Sequence, residues 1–227
     1  MTEAFRTESS RKWLLLLCAL SIGACSNPGL ERAHGPPLDA DVRALAIVLH
    51  SDSSGAWRAT DRIPARTEPS PVRSVSTFEG ENLEAVMAAL AAATPERGSV
   101  VGLSVGWIHR IEGSSSERNR YLYLIHTRSG VELARFHEHW RSVHAPLRRG
   151  TPGTQGYEQL HVDPPATRRA ADRLGVPPLD AAGIAVLHLT GPDSLLTAVD
   201  APRPPDPGWS ELVGRESGFV IVRDAAP

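Results

Sequence analysis

The chain has 227 residues, room for one large domain or two small ones, and 41% of them are apolar, enough for a buried core. A formal net charge of -2 supplies no basic field for nucleic acid. The only cysteines are Cys18 and Cys25, and Lys12 is the only lysine, so the body of the chain has neither thiol nor amine side chains; that excludes cysteine nucleophiles, thiolate zinc sites, iron–sulfur clusters, Schiff-base lysines and the P-loop lysine.

Arg6, Arg11 and Lys12 precede a ten-residue apolar run, Trp13–Ile22, too short to span a bilayer and suited to a signal h-region. The next residues, Gly23-Ala24-Cys25, complete a pattern that resembles the bacterial lipobox, in which the cysteine becomes lipid-modified. That resemblance implies a signal peptide over 1–24, an acylated Cys25 and a membrane as partner. Ser26 stands where an aspartate would suggest inner-membrane retention, so a periplasm-facing outer-membrane lipoprotein of the cell envelope is expected. Residues 25–41 are polar and rich in Pro and Gly, and read as a flexible tether.

The body reads as strands and helices by periodicity. Arg43–His50 is a short apolar run, read as a strand. Ser51–Pro71 reads as a loop with Trp57 as its one large anchor. Val72–Phe78 alternates and reads as a strand. Asn82–Ala93 carries Leu83, Val86, Met87 and Leu90 on one stripe and predicts a helix. Ser99–Ile111 alternates Val101, Leu103, Val105 and Trp107 with small residues, another strand. Glu112–Asn119 reads as a linker.

A second series follows. Arg120–His126 predicts a strand. Gly130–Leu147 predicts a helix with Leu133, Phe136, Trp140, Val143 and Leu147 on one face, ending near Pro146. Thr154–Val162 predicts a strand, Asp163–Pro178 a Pro- and Arg-rich connection, Ala182–Thr190 a strand and Pro192–Val199 a short helix. Ala201–Gly208 is irregular, and Gly218–Arg223 is the last strand. This β-α-β-β-α-β series has the ferredoxin-like order. Its first strand is apolar on both faces, so a second layer must cover the face turned away from the helices. Leu45–Ser53 aligns with Tyr121–Ser129, which suggests a related first half with its first helix and second strand lost or reduced. The expected fold is therefore α+β, with ferredoxin-like halves forming a single-chain, pseudo-dimeric α+β barrel. The degenerate half covers 42–112 and the complete one 120–224.

The densest chemistry is in Phe136–Leu147, FHEHWRSVHAPL. On a helix, His137 and His139 lie about 200° apart, and His137 and His144 about 10 Å apart along the axis, so they do not share one metal ion. His-Glu is not followed by a histidine at the zinc-binding spacing, and Gly-x-Gly-x-x-Gly does not occur; no metal and no cofactor are expected. Trp140 and His144 are four residues apart and can meet at one end of the helix. His144, beside Pro146 at a helix C-terminus where the dipole favours its charged form, is expected to titrate near neutrality and is the acid/base candidate; capping of the last carbonyls is its plainer role. Tyr157 and His161 share one strand face, and with Trp140 and Tyr123 are the candidate ligand-pocket residues. His50 and His126 hold equivalent positions at strand ends.

FHEHWRSVHAPL, followed by Pro152-Gly153 and then Gly156-Tyr157, resembles the EthD family, whose hallmark is a Trp-bearing aromatic helix, His-Ala-Pro-Leu and a Pro-Gly turn into the next strand. The resemblance implies a dimeric α+β barrel and oxidoreductase-like chemistry on small organic compounds; relatives of the barrel include cofactor-free monooxygenases, polyketide cyclases and haem peroxidases. Three functions stay open on this reading. The first is a lipid-anchored, cofactor-independent oxidoreductase with a pocket for a small apolar organic ligand. The second is a non-catalytic ligand- or haem-binding module, and the third an interaction scaffold. Nucleic acid is not expected as a partner, and a homodimer is left open.

Overall fold

A computed structural model of the chain describes residues 42–60, 72–93, 98–113, 119–191, 194–202 and 204–222. The expected signal peptide, Cys25 and tether lie outside the described residues, as does most of the connection after residue 60.

Eight strands run in chain order: β1 (Val42–His50), β2 (Trp57–Thr60), β3 (Ser74–Gly80), β4 (Val100–Gly113), β5 (Asn119–Thr127), β6 (Thr154–Val162), β7 (Gly183–Leu189) and β8 (Val213–Val222). They close into an antiparallel barrel in the order β1-β3-β2-β8-β5-β7-β6-β4. Starting at β4, the ring reads β4-β1-β3-β2 and then β8-β5-β7-β6, so the same local order occurs twice. The two runs join through β2–β8 and β4–β6.

The inside of the barrel follows from strand parity. One cluster collects Leu45, Ile47, Leu49, Trp57, Val75, Ile108, Leu122, Leu124, Leu160, Val162, Ile184 and Ile221, alternate residues from all eight strands with no helical residue among them. Only the lumen lets eight strands meet this way. The opposite faces are roofed by helices. Ala44, Ala46, Val48, Leu103 and Val105 pack under α1 (Leu83–Ala93) and α4 (Pro164–Leu174). Ile125, Tyr157 and Ala185 pack under Phe136 and Trp140, with Leu212 beside them. Burial on both faces explains why β1 reads as an unbroken apolar run.

Several elements differ from the sequence-based expectation. Trp57–Thr60 is a strand, held between β3 and β8, where a loop was expected. Pro164–Leu174 is a helix where a connection was expected. Asp163 caps it by accepting from the Ala166 N–H, Pro164 opens it, and Gly175 closes it in the left-handed region at φ 65°. β8 begins at Val213, five residues before the expected start, after the single turn of α6 (Trp209–Leu212).

The expected helix over 130–147 is three pieces: α2 (Leu133–His139), a π-helical turn (Trp140–His144) and α3 (Ala145–Arg148). Pro146 lies inside α3 and does not end it. The turn is wider by one residue, with the Ala145 N–H donating to the Trp140 carbonyl. α5 (Ser194–Asp200) completes the set and packs Leu195 against Tyr121 and Leu189.

Candidate functional site

α2 and the π turn lie on the outer face of β6 and β7. Gly183 permits this: a Cβ there would stand 2.3 Å from Cζ3 of Trp140, so the indole rests directly on the strand backbone. Trp140 is fully buried, and its Nε1–H donates to the Tyr157 hydroxyl at 3.0 Å. Gln159 Nε2 donates to the same hydroxyl at 2.8 Å and to the Trp140 carbonyl at 3.0 Å. His161 Nε2–H donates to Gln159 Oε1 at 3.1 Å. The His161 ring stacks on Trp140 (5.2 Å between centroids) and on His137 (4.4 Å). His137 in turn donates to the Ala182 carbonyl at 2.8 Å. Burial holds His161 well below the ordinary histidine range, with the nearby His137 and His109 pushing the same way, and burial raises the Tyr157 hydroxyl. His161 and Tyr157 therefore stay neutral at pH 7.

Of the residues expected to line a pocket, the structure brings Trp140, Tyr157 and His161 together. Tyr123 lies on the same outer face but belongs with Tyr121, 5.7 Å away ring to ring. All four are outside the barrel, against the expectation of a pocket between the two sheets. The reason is parity: Leu160 and Val162 take the lumen positions of β6, so Tyr157, Gln159 and His161 must face the helices.

His144 departs from Trp140. The Trp140 indole turns to Tyr157 on β6, whereas the His144 ring points to the Pro-rich stretch before α6. Its Nδ1–H donates to Asp206 Oδ2 at 2.6 Å, while Arg148 Nε–H donates to its Nε2 at 3.2 Å. Asp206 Oδ1 accepts from His139 Nε2–H at 2.8 Å. Trp209 covers the pair, its ring 3.9 Å from that of His144. The side chains are almost closed to solvent, 11% exposed for His144 and 3% for Asp206. Against the expectation of titration near neutrality, burial and, after it, the Arg148 charge bring His144 down to about 4 although Asp206 pulls upward, and the helix runs on through α3, so His144 does not sit at its C-terminus. His144 is thus a neutral imidazole, with its proton on Nδ1 and its lone pair on Nε2. Asp206, His139, Arg148 and Trp209 are absent from the sequence-based site; no periodic spacing links Asp206 to the helix.

Residues 128–203 match the family model of the EthD domain. The match supports the EthD resemblance read from WRSVHAPL. Within the matched stretch lie Trp140, His144, Tyr157 and His161. Tyr123 precedes it, and Asp206 and Trp209 follow it. Comparison with curated proteins gives no match.

A second polar group sits at one mouth of the lumen. Glu158, 5% exposed, accepts from Nε2–H of the fully buried His188 at 2.9 Å. Arg110 Nε and Arg43 are 3.7 and 3.9 Å from its other oxygen. Burial opposes the charge on Glu158, but His188, Arg120 and Arg110 outweigh it and hold the carboxyl below its usual range. Among the described residues no group of three or more His, Cys, Asp or Glu is placed to hold a metal ion.

Proposed function

We propose that this chain is an acid–base catalyst of the EthD type acting on a small organic molecule, with His144 as the proton acceptor and Asp206 as its positioning residue. The His144–Asp206 pair carries the reading. A buried carboxylate fixes the tautomer, and the bare Nε2 takes a proton from an acidic C–H or O–H of the substrate. Arg148 covers that nitrogen. Displaced by substrate, its guanidinium stands next to the anion that forms. In a cofactor-independent oxidation the same proton transfer comes first, and dioxygen accepts the electrons of the deprotonated substrate; the resemblance to cofactor-free monooxygenases supports that version. Trp140, Tyr157 and His161 seat the helix that carries His144, and the satisfied hydrogen bonds among them favour this framing role over direct ligand contact. Both nitrogens of His144 are engaged, which disfavours it as a haem axial ligand.

We further infer that the chain is a pseudo-dimer. In each run of four strands, β4-β1-β3-β2 and β8-β5-β7-β6, the first strand in sequence lies between the fourth and the third, which is the ferredoxin-like arrangement. The first half (42–112) connects β1 to β2 by a short loop where the second half (120–224) has α2. One chain then supplies both sheets, and a second copy is not needed to close the barrel. Acylation of Cys25 would tether this barrel to the periplasmic side of the envelope, more fittingly at the outer membrane. Among the described residues no helix is long and apolar enough to cross a membrane. Loss of labelled fatty acid from a Cys25→Ser variant tests the anchor.

The catalytic reading is tested by proton exchange. The full chain is incubated in D2O with a panel of small β-diketones and hydroquinones, and exchange and dioxygen uptake are followed. Exchange that vanishes in His144→Ala and falls in Asp206→Asn, with melting temperatures close to the parent, supports the reading. Exchange unchanged in His144→Ala refutes it.

A further inference from the structure

A separate hydrogen-bonded chain of nucleophilic and basic groups lies on the outer face of the first sheet, where β1 ends beside β3. His50 Nε2 is 3.1 Å from Ser76 Oγ, and His50 Nδ1 is 3.1 Å from Ser54 Oγ. Ser54 Oγ–H donates to Asp52 Oδ1 at 2.6 Å. Ser99 Oγ is 3.5 Å from the same Nδ1.

Proton counting orders the chain. A serine hydroxyl has one proton, and Ser54 gives its own to the Asp52 carboxylate. Ser54 therefore accepts in its 3.1 Å contact with His50, so Nδ1 carries the imidazole proton and gives it to Ser54. Nε2 is then the lone pair, and it accepts the Ser76 O–H. The direction runs from Ser76 to His50 to Ser54 to Asp52. His50 is buried, 3% exposed, whereas Ser76 is half-buried and reachable from solvent.

The loop that supplies Asp52 and Ser54 is pinned. The Gly55 N–H donates to Ser74 Oγ at 2.8 Å, and Ser74 Oγ–H donates to the Asp52 carbonyl at 2.6 Å. Gly55 lies against the β3 backbone so closely that a Cβ would stand 2.6 Å from the Val75 nitrogen. The group is therefore held ready by β1, β3 and a fixed loop.

We propose that Ser76 is a nucleophile activated by His50, forming a second site that cleaves small carboxylic esters. Ser76 Oγ attacks the ester carbonyl carbon while its proton passes to His50 Nε2. The carbon–oxygen bond to the alcohol breaks, and the alcohol leaves with that proton. Water, deprotonated in turn by Nε2, then attacks the acyl-serine, releasing the acid and restoring Ser76. The balance is ester plus water to acid plus alcohol, and no redox partner is required. Because the nucleophile sits at a half-buried strand position, small activated esters are its substrate class.

The test uses the full chain in detergent, a fluorophosphonate probe and 4-nitrophenyl acetate. The folded protein forms an adduct, located by peptide mass spectrometry on Ser76, and Ser76→Ala abolishes it. His50→Gln slows the adduct on the order of 100-fold. Because His50 is buried, the exposed Ser54→Ala serves as the second variant, and it slows the adduct on the order of tenfold with an unchanged melting temperature. Ester cleavage follows the same order. No adduct, an adduct on another serine, equal labelling of urea-unfolded protein, or rates unaffected by both His50→Gln and Ser54→Ala would each overturn the proposal.

Discussion

Replacing Gly183 with alanine probes the placement of the helix on which His144 sits. The new methyl group would meet three atoms of the Trp140 ring, at 2.3, 2.9 and 3.1 Å. Carbon atoms rest at about 3.5–4.0 Å, so the indole must move by more than 1 Å. That displacement strains a fully packed site, at about 1–3 kcal/mol, and lengthens the Trp140–Tyr157 hydrogen bond past usefulness, at about 1 kcal/mol more. The reduced freedom of the unfolded chain returns about 0.4–1 kcal/mol. The net expectation is a loss of about 1–3.5 kcal/mol, read from urea midpoints at constant m-value. For a chain of this size the melting temperature falls by roughly 2–14 °C. The companion variant Trp140→Leu removes the obstructing ring, and in that background Gly183→Ala should cost under about 0.5 kcal/mol. A neutral Gly183→Ala in the parent, or an equal cost in both backgrounds, would refute the stacking of Trp140 on β7.

Three further outcomes follow from the same geometry. Tyr157→Phe removes the acceptor of two buried donors and should cost about 1–3 kcal/mol in chemical denaturation, and a neutral result would mean that Trp140 and Gln159 have other partners. Glu158→Ala takes the acceptor from the buried His188 Nε2–H and should cost about 1–3 kcal/mol, with a neutral result contradicting a hydrogen-bonded pair at the barrel mouth. Stability should fall on acidification: His144 is lowered to about 4 in the folded chain against an ordinary 6.5, so the unfolded chain takes up the proton first. The loss from this group reaches up to about 3 kcal/mol between pH 7 and pH 4, and His161, His50 and His126, all lowered, add in the same direction. A stability curve flat over that range would contradict the buried neutral imidazoles.

Much of the barrel was legible because strand burial leaves a period-2 record. Thr154–Val162 was read with the observed ends, and Asn82 was read at the start of α1, where its side chain accepts from the Ala85 N–H. α4 was missed although its signals stand in the chain, Asp163 before Pro164 and Gly175 after Leu174; the density of Pro and Arg masked an Ala-lined face of Ala166, Ala170 and Ala171 that needs only a shallow groove on β4. β2 was missed because four residues carry almost no periodicity, and its pairing is set by distant strands. In the site, the motif marks His144 and Trp140, but their different partners, Asp206 and Tyr157, come from distant elements and leave no trace in the helix spacing. Asp206 is 62 positions from His144, in a stretch that reads as irregular, and only the fold brings it there. Lumen and helix-facing positions alternate along β6, so the spacing puts Tyr157 and His161 on one face, while which side of the sheet that face takes is set by the closed ring.

The measurement closest to the central claim is a nitrogen-15 NMR titration of the His144 ring in the folded chain. The account predicts a neutral imidazole at pH 7 with its proton on Nδ1, a bare Nε2, and no protonation until the pH approaches about 4. Loss of that tautomer preference in Asp206→Asn would complete the picture. A proton on Nε2 would mean that Asp206 does not fix the tautomer, and a titration midpoint near the ordinary 6.5 would mean that His144 is not the buried, Arg148-capped imidazole of this account.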